Sequence, residues 1–386
     1  MKKRHFTFLG LSIALILALV YLLTPFHVKK AIIYWYPGIE DHQIFKNRTV
    51  AASDTPSTWP YAHHYNQYQL PAHWRDSIET YKSVAFLVIQ NDSLLYEEYW
   101  DGFHTHSHSN IFSATKSIVS LLIGAAIDEG KIQSINQKVG DFLPQFKKGK
   151  NAQLTIAHLL TMSSGSNWEE SYSSPFSMTT EAYYGNNMDH LISKIHITDT
   201  PGQYFSYKSG DTQLLSHLLT EAVSMPLAHY ASQKLWQPLG ARTPALWSLD
   251  TKAGREKAYC CFNSNARDVA RLGALVLHRG HWHDQQIISE AYINAATTPA
   301  SHLLDKHNQP VDFYGYQWWI AHLDGLTIPY ARGILGQYIF VIPKKNAVVV
   351  RLGHKRSWQY KDHHPVDIFN YLNAALDIME KKEEER

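Results

Sequence analysis

Ser113 and Lys116 stand three residues apart in the stretch Ser113-Ala114-Thr115-Lys116. Residues at that spacing share one face of a helix, so the hydroxyl and the amine can meet without help from a distant loop. A serine hydroxyl is a poor nucleophile until a neighbouring base takes its proton, and a lysine acts as that base only where burial favours its neutral form. The apolar residues that follow (Ile118, Val119, Leu121, Leu122) predict a buried helix. Its start offers unpaired N–H groups and the positive dipole end, both suited to an oxyanion. This is the only Ser-x-x-Lys in the chain. A motif this short nevertheless arises by chance about once in a chain of ordinary composition and this length. The same four residues also fit a plain helix start, with Ser113 as cap and Lys116 as a solvated charge.

The elements that must position this pair follow from pattern. Ser83 to Tyr99 reads as a hairpin, with an apolar run at Val84–Ile89, a turn at Asn91-Asp92-Ser93 and a return at Leu94–Tyr96. The Ser113 helix should stop at Gly130, a good residue for the position past a helix end. Residues 131–240 are loop-rich with helical patches, among them Asp211–Glu221, and Asn263-Ser264-Asn265 caps a helix through Leu277. Four strands are expected at Tyr316–Ala321, Leu326–Ala331, Gln337–Ile342 and Ala347–Leu352, then a terminal helix at about 365–380. Early strands, a helical middle and a late meander imply an α+β fold, an α/β sandwich. One antiparallel sheet, completed by both ends of the chain, is flanked by helices, with a mainly helical subdomain inserted at about 131–240. A site would lie at the junction.

With 386 residues, 45% of them hydrophobic, the chain can bury a large core. A formal charge of +2 with scattered Lys and Arg lacks the footprint of a nucleic-acid binder. Cys260 and Cys261 are adjacent, so they staple no distant segments and read as small buried residues. Lys2, Lys3 and Arg4 precede an uncharged run from Phe6 to Leu23, which as a helix spans roughly 27 Å, close to a bilayer core. With no small-residue cleavage site behind it, residues 1–24 read as an uncleaved signal anchor, a single membrane pass. The positive-inside bias then puts the remainder outside the cytoplasm, on the periplasmic side. Residues 25–70, aromatic and Pro-punctuated, read as a stalk or arm packed on the main domain at 71–386.

Beyond the pair, three further segments stand in order: His158-Leu-Leu-Thr-Met-Ser-Ser-Gly165, Pro201-Gly-Gln-Tyr-Phe-Ser-Tyr-Lys-Ser209, and Gly333-Ile-Leu-Gly-Gln337 running into an apolar strand. With Ser113-x-x-Lys116, over about residues 75–375, this order resembles the serine β-lactamase and penicillin-recognising hydrolase superfamily. The likeness is to its class C and esterase-like branch, and within it to the 6-aminohexanoate-dimer hydrolase type. The resemblance implies a β-lactamase/transpeptidase-like fold and a serine hydrolase of carboxylesterase or amidase type. Ser113 would be the nucleophile, Lys116 its base and Tyr207 the second proton carrier. The backbone N–H groups of Ser113 and Ile334 would form the oxyanion hole. Ser209, Tyr172, Trp318 and Gly333 would meet the substrate, with Trp318, Trp319 and Tyr172 walling an apolar pocket and one tryptophan kept for the core.

One departure narrows the substrate. The family's Lys-Thr-Gly triplet reads Ala331-Arg332-Gly333 here, and alternation along a strand turns Arg332 to the opposite face. Recognition of a substrate carboxylate, as in β-lactams, is thereby weakened, and a small-molecule ester or short amide fits better. No cofactor is implied. The histidine clusters at 104–108 and 281–283 fall in polar loop text and are not read as metal ligands. Two alternatives remain: a penicillin-binding DD-carboxypeptidase or β-lactamase, and a non-catalytic binding protein of the cell envelope.

Overall fold

The computed structural model describes residues 19–384 together with Ser12, Leu15 and Ile16, with side chains through Glu380. The Phe6–Leu23 run read as a membrane anchor lies largely outside the described residues. Among those described, no helix is long and apolar enough to cross a membrane.

The six-stranded antiparallel sheet at the centre comprises β1 (Ser83–Gln90), β2 (Ser93–Tyr99), β3 (Trp319–Leu323), β4 (Leu326–Gly333), β5 (Gln337–Ile342) and β6 (Ala347–Gly353). Their spatial order is β2-β1-β6-β5-β4-β3, so the early hairpin pairs with the last strand of the meander, Val88 opposite Val349. The sheet is therefore closed by both ends of the chain, as the pattern predicted.

Alternation along β5 and β6 sends Ile339, Val341, Val348 and Val350 to one face and Phe340 and Val349 to the other. Both faces are apolar because both are covered, which is why these strands read as continuous hydrophobic runs. The principal helices, in chain order, are α1 (Phe26–Tyr34), α2 (Thr115–Asp128), α3 (Ser209–Val223), α4 (Ala266–Leu277) and α5 (Asp367–Glu384). The first face packs with α2, α3 and α4, through residues such as Ile118, Leu214 and Val269; the second packs under α5 through Ile368 and Tyr371. The predicted helix boundaries hold closely. Asn265 caps α4 by accepting from the Asp268 N–H, and Gly130 follows α2 at φ 68°.

Three features went unforeseen. A smaller sheet joins Lys46–Val50, Ala245–Leu249, Phe262–Ser264 and Ser109–Asn110, in that order, and so ties the segment before residue 70 to the chain that follows the helical insert. The strand expected from Tyr316 begins only at Trp319, because Gln317 adopts φ 63° and its side-chain amide donates to the Leu159 and Leu160 carbonyls. Cys260 and Cys261, expected as separate small residues, are joined in a disulfide between neighbours. It closes no long loop.

Candidate active site

Chain direction reverses sharply at the start of α2. Ser109–Asn110 pairs in the small sheet, then Phe112 takes φ 44°, stabilised by its N–H donating to Asn110 Oδ1 at 2.9 Å. A left-handed conformation at a bulky residue is costly, and such strain collects at functional turns. Ser113 follows directly in a single 3-10 turn, with α2 beginning at Thr115. Ser113 is therefore not the helix cap that a bland reading of the sequence allows.

Lys116 is 1% exposed. Its Nζ donates to Ser113 Oγ at 3.0 Å and to the Tyr259 carbonyl at 2.8 Å, and it lies 5.1 Å from the centroid of the Tyr207 ring. Among the described residues no carboxylate pairs with it, and the amine is held by neutral oxygens and aromatic faces. The solvated-charge reading of Lys116 is excluded by this burial.

Tyr207 reaches Lys116 because its loop is pinned to the segment Met162–Ser163. Ser206 N–H donates to the Met162 carbonyl at 2.7 Å and Gly202 N–H to the Ser163 carbonyl at 2.8 Å. Thus two of the sequence segments singled out together are bonded to each other. The Tyr207 ring packs on Trp319, with centroids 5.6 Å apart. Beneath it, Ser164 Oγ donates to Asp211 Oδ1 at 2.6 Å, and burial pushes the Asp211 carboxyl up to about 7.

The turn Gly333–Gln337 closes the opposite side. A Cβ on Gly333 would stand 2.2 Å from the Ile111 carbonyl oxygen, so glycine is what lets β4 abut the Ser113 turn. Leu335 and Gly336 both have positive φ, and the buried Arg351 guanidinium donates to their carbonyls at 2.9 and 2.7 Å. The Ile334 peptide is thereby fixed at the edge of a cavity of about 420 Å³ that Ser113 also lines.

The remaining candidates divide. Tyr172 lines this cavity, its hydroxyl donating to Glu170 Oε1 at 2.5 Å; burial, with the carboxylate close by, raises its pKa and keeps it protonated. Trp318, expected to meet substrate, is 1% exposed and sits in the core between sheet and helices, whereas Trp319 is the tryptophan that touches Tyr207. Ser209 is also 1% exposed, and its hydroxyl is spent on Glu170 Oε1 at 2.7 Å, which leaves it no part in the cavity wall. Arg332 lies on the strand face of Tyr330, away from α2. Its guanidinium covers the Trp319 ring at 3.1 Å and donates to the His363 carbonyl at 2.9 Å.

Three parts of the site, six residues in all, carried no readable signal. Glu170 accepts from Trp168 Nε1, Tyr172 OH, and both the N–H and hydroxyl of Ser209. Tyr259 holds Lys116 through a backbone carbonyl, which any residue type possesses. Ala31, Ile32, Trp35 and Tyr36, from α1 and the turn after it, line the cavity from more than 70 positions upstream of Ser113.

Residues 75–372 match the family model described as Beta-lactamase. The chain belongs to the beta-lactamase family. Among curated relatives, the 6-aminohexanoate-dimer hydrolase of Paenarthrobacter ureafaciens is 25% identical over 293 residues, covering 72% of this chain and 73% of that one. Among solved structures, a Bacillus anthracis protein assigned as 6-aminohexanoate-dimer hydrolase superposes with a TM-score of 0.77 at 21% identity. The match covers 90% of this chain and 93% of that one. A family VIII carboxylesterase gives 0.62 at 14% identity, covering 83% and 99%. These likenesses support the β-lactamase/transpeptidase-like fold expected from the motif order.

Proposed function

We propose that this protein is a serine hydrolase that opens an ester or amide bond through an acyl-enzyme on Ser113. The observation that carries the reading is the buried Lys116 amine, 3.0 Å from Ser113 Oγ and held there by the Tyr259 carbonyl. Ser113 Oγ attacks the acyl carbon while its proton passes to Lys116. The negative charge that develops on the acyl oxygen falls between the N–H groups of Ser113 and Ile334; a donor of this kind is typically worth ~10²–10³ in rate. Tyr207 donates a proton to the leaving alcohol or amine as the acyl–oxygen or acyl–nitrogen bond breaks. In the second half Tyr207, left as the phenolate, takes a proton from water, whose oxygen attacks the acyl carbon; the acyl–Ser113 bond breaks as Lys116 returns its proton to Ser113 Oγ, and the acid is released.

Relatives named as a 6-aminohexanoate-dimer hydrolase and a carboxylesterase support acyl transfer on this scaffold. The position of Arg332, stacked on Trp319, favours neutral esters and amides over substrates with a carboxylate to be seated. We further infer that residues 1–24 anchor the protein in the cytoplasmic membrane with the hydrolase on the outer side. The uncharged run leads through Pro25 into α1, whose Ile32 and Ile33 face outward. Labelling by a fluorophosphonate and turnover of p-nitrophenyl acetate, both lost in Ser113→Ala and in Lys116→Ala, test the chemistry. If both variants keep wild-type turnover, the reading fails. Labelling that a penicillin blocks would redirect it to the penicillin-binding alternative. Extraction of the full chain from membranes by alkaline carbonate would overturn the anchor.

A further inference from the structure

The cavity beside Ser113 has a composition that the chemistry alone does not require. None of its described lining residues carries a charge; Phe112, Tyr183, Tyr184, Tyr259 and Ile334 dominate the wall. At about 420 Å³ it is large enough for a chain of several methylenes beyond the reacting carbonyl, within the ordinary range of ligand sites. One side is supplied by the N-terminal arm, through Ala31, Ile32 and Trp35.

The arm is docked, not draped. Val28 is buried, Tyr34 stacks on Tyr184 with ring centroids 6.2 Å apart, and Lys30 Nζ lies 5.5 Å from the Phe45 ring centroid. Tyr184 ends a short helix, Met178–Tyr184, whose Thr179, Thr180 and Tyr183 also wall the cavity. The base of that helix is held by the buried Lys257, which donates to the Ala182 and Gly185 carbonyls. Ile32 and Trp35 touch the cavity yet remain 64% and 84% exposed, so they form its rim and continue outward as apolar surface. A rim of this kind is unexplained by folding, since it leaves apolar area in water.

We propose that this cavity is an acyl-chain site completed by the N-terminal arm, and that it takes the neutral, unbranched acyl half of an ester or amide whose carbonyl lies at Ser113. The proposal rests on the acyl-enzyme reading of Ser113 and names its substrate class. A chain with a terminal ammonium is excluded by the same wall, because nothing charged faces it and burying an unpaired ion is costly.

The test is a series of p-nitrophenyl esters from acetate to octanoate, hydrolysed by the full-length protein. Burying each added methylene should raise kcat/KM about fourfold until the cavity is filled. The 6-aminohexanoate ester should fall at least ~10²-fold below the hexanoate. Ile32→Asp, at a rim position exposed enough to spare folding, should flatten the rise with chain length. Wild-type kcat/KM that is flat or falling with chain length, while Ser113-dependent acetate hydrolysis persists, overturns the acyl-chain site and leaves the serine hydrolase standing. Equal turnover of the hexanoate and 6-aminohexanoate esters also overturns it. A rise with chain length that Ile32→Asp leaves intact overturns the part assigned to the arm. Absence of any Ser113-dependent turnover overturns both readings. Presenting the octanoate ester dissolved or in phosphatidylglycerol vesicles separates the two sources of the chain. Faster vesicle turnover assigns it to a bilayer and equal rates to solution, and each supports the site.

Discussion

Among the described residues Lys116 meets Ser113, Tyr207 and Tyr259 and no counter-ion, and that arrangement sets what its replacement should do. Lys116→Met keeps the length and apolar stem but removes the atom that touches Ser113 Oγ and the Tyr259 carbonyl. Steady-state ester kinetics should show kcat/KM lowered by at least ~10³, in the range of losing a nucleophile's base. Thermal unfolding should change little, because no buried charge is stranded. Tyr207→Phe keeps the ring against Trp319 and removes only the hydroxyl. A fall of ~10²–10⁴ in kcat is expected, and full activity would exclude Tyr207 from proton transfer. Gly333→Ala acts by space alone. Its φ of −117° suits any residue, but the new Cβ would meet the Ile111 carbonyl at 2.2 Å and must push β4 off the Ser113 turn. Activity should fall more than stability, as the Ile334 N–H moves with that strand end.

At the scale of elements, Glu170 decides how α3 begins. Its carboxylate accepts the Ser209 N–H at 2.6 Å at the first turn of the helix, where backbone donors otherwise lack partners. It also holds Tyr172, and Tyr207 lies two residues before Ser209. Glu170→Ala should therefore cost about 1–2 kcal/mol in denaturant unfolding, as a lost cap and its bonds do. It should also lower kcat through a displaced Tyr207, and Glu170→Gln should recover part of both. Ser209→Ala should leave KM for acetate esters unchanged, because its hydroxyl serves Glu170. This part of the site was hidden from sequence for a physical reason: a carboxylate that caps a helix from 39 residues away has no periodicity or spacing to betray it. Tyr259 was hidden because it works through a carbonyl. Ser113 and Lys116 could be picked out by their spacing, whereas Tyr207 and the Gly333–Gln337 turn were picked out only through the order of segments on which the family resemblance rests. Strands β1, β2, β4, β5 and β6 were legible because apolar runs bounded by Asn, Asp, Pro and Gly admit little else. Trp318 and Trp319 show the limit: adjacent and identical in type, they part only because one faces the core and the other Tyr207.

The whole molecule is a sheet closed by both chain ends, with its site at the seam between that sheet and the helical insert, so global stability and site geometry share the buried polar groups beneath that seam. Asp211 is the clearest of these. Burial raises its carboxyl to about 7, opposed by the Ser164 bond and the nearby Lys208. Its other oxygen, Oδ2, has no partner. In the unfolded chain the same group titrates near 3.8. Between these values the folded state holds a proton that the unfolded state has released, so this group's contribution is complete below about pH 4 and lost as pH rises through 7. His158 and His364 act in the opposite sense. Burial, chiefly, lowers them to about 4 and about 3, so their contribution is lost as pH falls below 6.5. The wild-type profile thus mixes terms of both signs, and only a difference isolates Asp211. Asp211→Asn keeps an oxygen for Ser164 Oγ and cannot ionise. Its stability relative to wild type should start near zero or slightly negative at pH 4 and improve with pH. At ~1.4 kcal/mol per pH unit the gain reaches at most about 4 kcal/mol by pH 8. Urea unfolding of both proteins at four pH values reads this directly. A difference that stays constant with pH would mean that Asp211 is ionised in the folded protein and that Lys208 reaches it across the seam.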